Sequence, residues 1–332
     1  MAKIDLIIPC YNTQNTLPRV LGNVLSQTVK DEIKVILVDD CSENDYVDVV
    51  ERFGVFLDIE LIRLEKNSGP GKARRIGMQA GNSKYIMCID SDDTFFNAYS
   101  VEMLFHEIET RKCDILYSNF FEDVDNLKFI PHVNDGVWMF GKIFKRQFLE
   151  NLDIWMNDSR SNEDVGFNTL TRAFTMPQHV DEFTYIWHFN PKSITRKNNG
   201  LYSFTCSEGH IYNKIWAFKE ALKRGWERES YLKSIISQFC WYYFEWFNVR
   251  NKSREEIKEE LFLNWVKKYY DTFCDEIREC IDRKIIEEPY RQAFHSFFGS
   301  IDNVHVIDVS IYGFINMLED IEDKLGDNWG LS

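Results

Sequence analysis

The sequence predicts an α/β protein, with a mostly parallel sheet flanked by helices, followed by a mainly α-helical C-terminal domain. Three observations lead there. Short β-rich apolar runs alternate with helix-like stretches over residues 1–120, the pattern of a sheet covered on both faces. Polar clusters follow four successive strands, where open α/β sheets bind ligands. From about residue 203 the apolar spacing turns helical and stays so.

Ile4–Pro9 is the first strand, and Leu17, Val20, Leu21, Val24 and Leu25 behind it fall at helical spacing. Ile33–Val38 is a second strand, Val47–Phe53 a helix and Ile59–Leu64 a third strand. Gly71–Ala80 reads as a helix, Tyr85–Ile89 as a fourth strand, Val101–Arg111 as a helix and Ile115–Ser118 as a further strand. Residues 120–200 are broken by Pro131, Gly136, Gly141, Pro177 and Pro191, as expected of loops walling a site. Helices are expected over Ile211–Arg224, Tyr231–Asn248, Ser253–Cys280, Ile285–Phe298 and Ile311–Leu325. The expected division is 1–200, with halves of about 1–120 and 120–200, and 201–332, the boundary following Lys197-Asn198-Asn199-Gly200.

The 332 residues carry a net charge of −14, which disfavours a broad cationic grip on nucleic acid without excluding a local basic groove. The eight cysteines form no Cys-x-x-Cys pair, so a zinc or redox site has little support. Cys10 and Cys88 lie in apolar runs and read as buried hydrophobes. Met1–Asp5 enters a strand pattern at once and no apolar run approaches the ~20 residues of a spanning helix. A cytoplasmic protein, at most peripheral at a membrane, is expected.

The four clusters are Pro9-Cys10-Tyr11-Asn12, Asp39-Asp40-Cys41-Ser42, Asn67-Ser68-Gly69-Pro70-Gly71-Lys72-Ala73-Arg74 and Asp90-Ser91-Asp92-Asp93. Each alone can be a strand end, a helix cap or a turn. The last is the most chemical, because three carboxylates within four residues repel one another unless a cation neutralises them. Hard oxygen ligands suit Mg²⁺ or Mn²⁺, which complete their shell with water and substrate phosphates.

In order and spacing these clusters resemble the family-2 glycosyltransferases of GT-A fold, a Rossmann-like arrangement. The residues that carry the resemblance are Ile8-Pro9-Cys10-Tyr11-Asn12, Val38-Asp39-Asp40-Cys41-Ser42, Asn67-x-Gly69 with Ala73-Arg74-x-x-Gly77, and Asp90-x-Asp92-Asp93. Gly141-Lys142-Ile143-Phe144-Lys145-Arg146 is similar to the family's segment opening the acceptor half, and Asn162-Glu163-Asp164 to its base motif. The likeness covers about residues 1–195; the rest resembles nothing recognised.

The resemblance implies a nucleotide-sugar donor, a UDP-sugar by preference, a hydroxyl-bearing acceptor such as a glycan, Mn²⁺ or Mg²⁺, and inversion at the anomeric carbon. It places Pro9 and Tyr11 at the nucleobase, Asp40 as acceptor of a base hydrogen bond, and Asn67 and Arg74 at the nucleoside or diphosphate. Asp90, with Ser91, would meet the ribose or a metal-bound water; Asp92 would ligate the metal, with Asp93 a further contributor. Asp164 becomes the base, with Glu163 orienting a sugar. His188 has two readings, a metal or diphosphate ligand and a packed histidine in an aromatic strand. Arg196 and Lys197 either close over the donor or are solvated loop charges. The acceptor is open, a nucleic acid being disfavoured by charge.

Asp90-Ser91-Asp92-Asp93-Thr94 also has the Asp-x-Asp-x-Thr form of haloacid-dehalogenase-like phosphatases. That family places the motif on its first strand, and Gly326-Asp327 lacks the second Asp of its later motif. Nicotinamide and P-loop glycine patterns are missing. A catalytically silent sugar-nucleotide or glycan binder is the non-enzyme alternative. The aromatic run Ser237–Val249 is expected to be core, with an oligomer interface as the second reading.

Overall fold

The computed structural model describes residues 2–125, 127–191, 208–251, 259–299 and 310–322. Arg196, Lys197, the boundary at 197–200 and Gly326-Asp327 lie outside them. Two compact units form, Met1–Ser193 and Ile194–Ser332.

In the first unit, β1 (Ile4–Cys10), β2 (Ile33–Asp39), β3 (Asp58–Arg63) and β4 (Tyr85–Cys88) alternate with α1 (Leu17–Leu25), α2 (Val47–Phe53) and α3 (Pro70–Ala80). Next come β5 (Thr94–Phe95), α4 (Ser100–Arg111), β6 (Ile115–Asp123), β7 (Phe129–His132) and β8 (Lys142–Lys145). The unit ends with α5 (Arg146–Asn151), α6 (Glu163–Arg172) and β9 (Gln178–Trp187). All belong to one sheet of order β3-β2-β1-β4-β8-β6-β9-β5, with β7 paired to β6.

The expected parallel sheet is present in β1–β4; the apolar runs of β1, β2 and β4 are buried under helices, while the edge strand β3 is only partly buried. Beyond β4 the sheet is mixed: β8 runs antiparallel to both β4 and β6, and β9 returns parallel to β6. The sequence reading left this stretch irregular, because its strands are short or break register. β8 has four residues, and the β6–β9 pairing shifts at Ser118, Asn119 and Phe120.

A buried ion pair locks β8 to the parallel half. Asp5 of β1, fully buried, accepts from Ser83 N at 2.8 Å, Ser83 Oγ at 2.7 Å and Arg146 Nη2 at 2.7 Å. The same guanidinium donates to Ser83 O and Met78 O, each at 2.7 Å. Every oxygen of the carboxylate is thus bound, which is the condition under which a buried charge is tolerated.

The second unit contains α7 (Glu208–Lys223), α8 (Arg228–Asn251), α9 (Glu259–Asp282), α10 (Glu287–Phe298) and α11 (Ser310–Asp320). The aromatic run of α8 forms its core. Phe239, Tyr242, Tyr243 and Phe244 are buried with Tyr269, Tyr270 and Phe273 of α9, Tyr290 of α10 and Phe314 of α11. Tyr269 Oη donates to Ile235 O at 2.9 Å, so its buried hydroxyl is satisfied. Among the described residues no helix is long and apolar enough to cross a membrane.

Arg146→Met should lower unfolding free energy by about 3–5 kcal/mol, because it strands the Asp5 carboxylate without its cation. A urea titration would show it as a lower midpoint, and adding Asp5→Leu should recover part of the loss.

Candidate active site

The site is assembled at the carboxyl ends of β1, β2 and β4. β1 and β2 end in register at Cys10 and Asp39. Asn12, with φ 54°, turns the chain so that its N–H donates to Ser42 Oγ at 2.9 Å and its Oδ1 accepts from Glu43 N at 2.9 Å. Pro9 is partly buried at the end of β1, and Tyr11 beyond it is half exposed. The adjacent aspartates divide their tasks. Asp39 is buried, accepting from Ser42 N at 2.8 Å and Arg63 Nη1 at 2.7 Å. Asp40 faces the loop before α3 and accepts from Ser68 N and Gly69 N, each at 2.7 Å. Burial raises the Asp40 pKa, with those two N–H groups and the Arg160 charge opposing.

Gly69 has φ +90°, and a Cβ there would meet Arg160 Cγ at 3.0 Å. Pro70 then opens α3, a position where its missing N–H costs nothing. A Cβ on Gly71 would lie 2.6 Å from Asn157 O and 2.8 Å from Ser159 O. The segment leading into α6 is therefore seated on the first turn of α3, and this close approach brings Glu163 to Arg74.

Arg74 is the hub. Its buried guanidinium pairs with Glu163 through Nη1 and with Asp90 through Nη2. Burial alone would lower its pKa, but Asp90 and Glu163 carry it well above the usual value. Arg74 Nε is buried with no hydrogen-bond partner among the described residues, a donor that an anionic ligand oxygen would satisfy.

In the turn after β4 the carboxylates separate by environment. Asp93 is buried and points inward, accepting from Tyr185 Oη at 2.7 Å and His188 N at 2.8 Å. Burial, then Asp92 and Asp90, push its pKa well up. The expectation that Asp93 adds to a metal site therefore meets a side chain committed to holding the turn. Asp92 is partly exposed; its Oδ2 accepts from Asn190 Nδ2 at 2.6 Å and its carbonyl from the Arg19 guanidinium. Burial and then the Asp90 charge raise its pKa. Ser91 is buried between them. His188 Nε2 meets Thr94 Oγ1 at 2.7 Å, and burial, then Arg19, lower its pKa to about 4. It is neutral at physiological pH.

Asp164 lies in the first turn of α6, accepting from Val165 N at 2.8 Å. Burial, then the neighbouring Glu163 charge, raise its pKa to about 7, with Arg74 and Lys142 opposing. Lys142 at the start of β8 is buried, donating to Gly136 O at 2.6 Å and to Asn168 Oδ1 of α6 at 2.7 Å. Burial and Arg172 push its pKa well below the lysine norm.

Arg74, Asp90, Glu163 and Asp164 are thus brought together, as are Asp40 and Asn67. Arg19, Arg160, Lys142, Tyr185 and Asn190 also take part, and reading the sequence missed their roles. Lys142 stood in a quoted motif. Nothing local marks the other four, whose partners lie tens of residues away in the chain.

Residues 5–161 match the model of glycosyl transferase family 2, and this part of the chain is a domain of that family. The poly(ribitol-phosphate) beta-N-acetylglucosaminyltransferase TarS of Staphylococcus aureus is 30% identical over 118 residues, 35% of this chain and 20% of that protein. Glycosyltransferase GlyA of Streptococcus pneumoniae is 27% identical over 233 residues, 65% of this chain and 32% of its own. The chain therefore spans about a fifth to a third of these two curated relatives. The crystal structure of S. aureus TarS 1–349 with UDP-GlcNAc superposes with a TM-score of 0.67 at 18% identity, over 92% of this chain and 95% of that one. Mannosyltransferase PcManGT from Pyrobaculum calidifontis, with GDP-Man and Mn²⁺, superposes at 0.52 with 10% identity, over 90% and 83%. The GT-A-type fold expected from the sequence is the fold found.

Asp93→Ala should cost roughly 1–3 kcal/mol of stability, because it leaves the buried Tyr185 hydroxyl and His188 N–H without their acceptor. Asp92→Ala, at a partly exposed position, should move the denaturation midpoint far less.

Proposed function

We propose that the chain is an inverting glycosyltransferase that moves a sugar from a UDP-sugar to an acceptor hydroxyl with the help of Mn²⁺ or Mg²⁺. The acceptor is a glycan or other glycoconjugate, and the protein works in the cytoplasm or at the membrane surface. The observation that carries the reading is Arg74. One buried guanidinium ties Asp90, in the carboxylate turn, to Glu163, which stands beside Asp164 with its raised pKa.

Asp40 has lone pairs beyond those taken by Ser68 N and Gly69 N, and these would accept the N–H of uracil, with Pro9 and Tyr11 against the ring. Arg74 Nε and Asn67 would meet the nucleoside diphosphate. No cluster of three or more metal-binding side chains occurs among the described residues. The chemistry of the turn nonetheless fits a hard divalent ion, which needs only one or two carboxylates when phosphates and water complete its shell. Asp92 and Asp90, whose charges oppose each other, would hold it, and when bound it would neutralise charge gathering on the diphosphate. His188 is assigned to the turn, because its Nε2 is engaged by Thr94.

Asp164 takes the proton from the acceptor hydroxyl as that oxygen forms its bond to the anomeric carbon. The carbon–oxygen bond to the diphosphate breaks and its electron pair leaves with UDP, so a single displacement inverts the centre. A base with a pKa of about 7 has enough driving force to take the proton and is still largely ionised at physiological pH. Glu163 supplies the neighbouring charge that holds it there. The helical unit is read as a place for acceptor contacts or self-association.

The phosphatase alternative needs a free nucleophilic Asp90 on the first strand, whereas Asp90 follows β4 and is paired with Arg74. The silent-binder reading differs in its outcome: nucleotide binding with neither donor hydrolysis nor transfer.

With UDP and Mn²⁺ the melting temperature should rise, since a ligand of the folded state alone stabilises it. Asp92→Ala should lose the Mn²⁺-dependent part of that rise. A donor screen in which no uridine nucleotide shifts the transition would overturn the reading.

Transfer at saturating donor should climb with pH through about 7 and level off above it, because the raised Asp164 pKa leaves the carboxyl protonated and inactive below that point. Asp164→Asn should bind UDP as the parent does and lose transfer by at least about a hundredfold. Unimpaired transfer by that variant would remove Asp164 from the base role.

A further inference from the structure

Arg160 stands in the segment that leads into α6, yet both of its polar contacts are with the loop before α3. Nη1 donates to Asn67 Oδ1 at 2.8 Å and Nη2 to Asn67 O at 2.9 Å. The side chain is otherwise exposed. Its stem fills the space that any Cβ on Gly69 would need, and its charge reaches Asp40. Arg160, Asn67, Gly69 and Asp40 therefore share one location, with Asp40 fixed by the N–H groups of Ser68 and Gly69.

This contact decides which end of the Asn67 carboxamide faces a ligand. An amide has an acceptor end and a donor end. Here Oδ1 is held by the guanidinium, and Nδ2 has no partner among the described residues, so the donor is the end left unengaged. The pocket thus presents a carboxylate that accepts and, beside it, an amide whose unengaged end donates. Uracil offers the complement, an N3–H donor flanked by two carbonyl acceptors. Cytosine places an acceptor at N3 and donors at N4, so it would leave buried polar groups mismatched, which is how hydrogen-bonding sites discriminate strongly.

We propose that Arg160 is a specificity-determining positioning residue: by its two-point grip on Asn67 it locks the amide as a donor and makes the nucleoside pocket selective for uracil over cytosine. This rests on the donor reading given above. The grip needs a planar fork that delivers two parallel N–H groups, so a lysine, a single point charge, does not replace it.

The test is calorimetric titration of the full chain with UDP and with CDP, in the presence of Mn²⁺, for the parent, Arg160→Ala, Arg160→Lys, Asn67→Ala and Arg160→Ala/Asn67→Ala. The parent should prefer UDP. Arg160→Ala should weaken UDP by up to roughly tenfold, the worth of one well-made neutral hydrogen bond, while CDP changes little, so the UDP-to-CDP ratio falls. Arg160→Lys should restore charge without the ratio. The double variant should bind UDP no worse than the weaker single one, because both changes remove the same interaction. Equal melting temperatures without ligand exclude a folding loss. If the parent binds neither UDP nor CDP, the donor reading itself fails. If it prefers UDP and Arg160→Ala keeps both the affinity and the ratio, or the two changes are additive, the role of Arg160 fails while the donor reading stands.

Discussion

The site depends on a charge that the protein had to bury. Arg74 sits on the inward face of α3, where a guanidinium without partners would be intolerable. Its stability requires two carboxylates, and these come from far apart in the chain, one from the turn after β4 and one from the first turn of α6. Satisfying Arg74 therefore fixes the distance between the turn after β4, proposed to meet the diphosphate, and the first turn of α6, proposed to hold the base. Side chains held this way keep their geometry before any ligand arrives, the condition that preorganised catalysis requires. Gly71 is the steric half of the same arrangement, because its missing side chain lets the segment before α6 lie directly on α3.

Neighbouring acidic residues here do opposite things, and burial and partners decide which. Asp39 is a structural acceptor and Asp40 a loop organiser. Asp93 anchors a tyrosine while Asp92 remains at the partly open end. Glu163 is paired with Arg74, and burial followed by the Glu163 charge raises the pKa of Asp164 next to it. The net acidity of the chain is thus not a uniform coating; part of it is spent inside, where each carboxylate is matched to a named donor.

Much of this was legible in the sequence. β1, β2 and β4 announce themselves because buried parallel strands are continuous apolar runs, and the edge strand β3 by its shorter run of Ile59, Leu61 and Ile62. The motif residues fall at their ends because that is where a doubly covered sheet leaves backbone free. The helical unit follows from 3.6-residue spacing, and its aromatics are core. β5, β7, β8 and β9 were not legible: they are short, edge-lying or out of register, and what makes them strands is their neighbours. The division of labour between Asp92 and Asp93 was also hidden, since it depends on Tyr185 and His188 from β9 and the residue after it. Arg160 and Arg19 carry no local signal, because a surface arginine looks the same whether or not a partner waits across the fold.

The insertion of β8 between β4 and β6 has a consequence for synthesis on the ribosome. The parallel half is complete in sequence by Cys88, but until Lys145 and Arg146 emerge β4 has an open edge and Asp5 has no cation. Exposed strand edges invite pairing with other chains, so a nascent polypeptide paused between these points is a natural client for a chaperone. The edge of the parallel half is covered only once the four residues of β8 have been made.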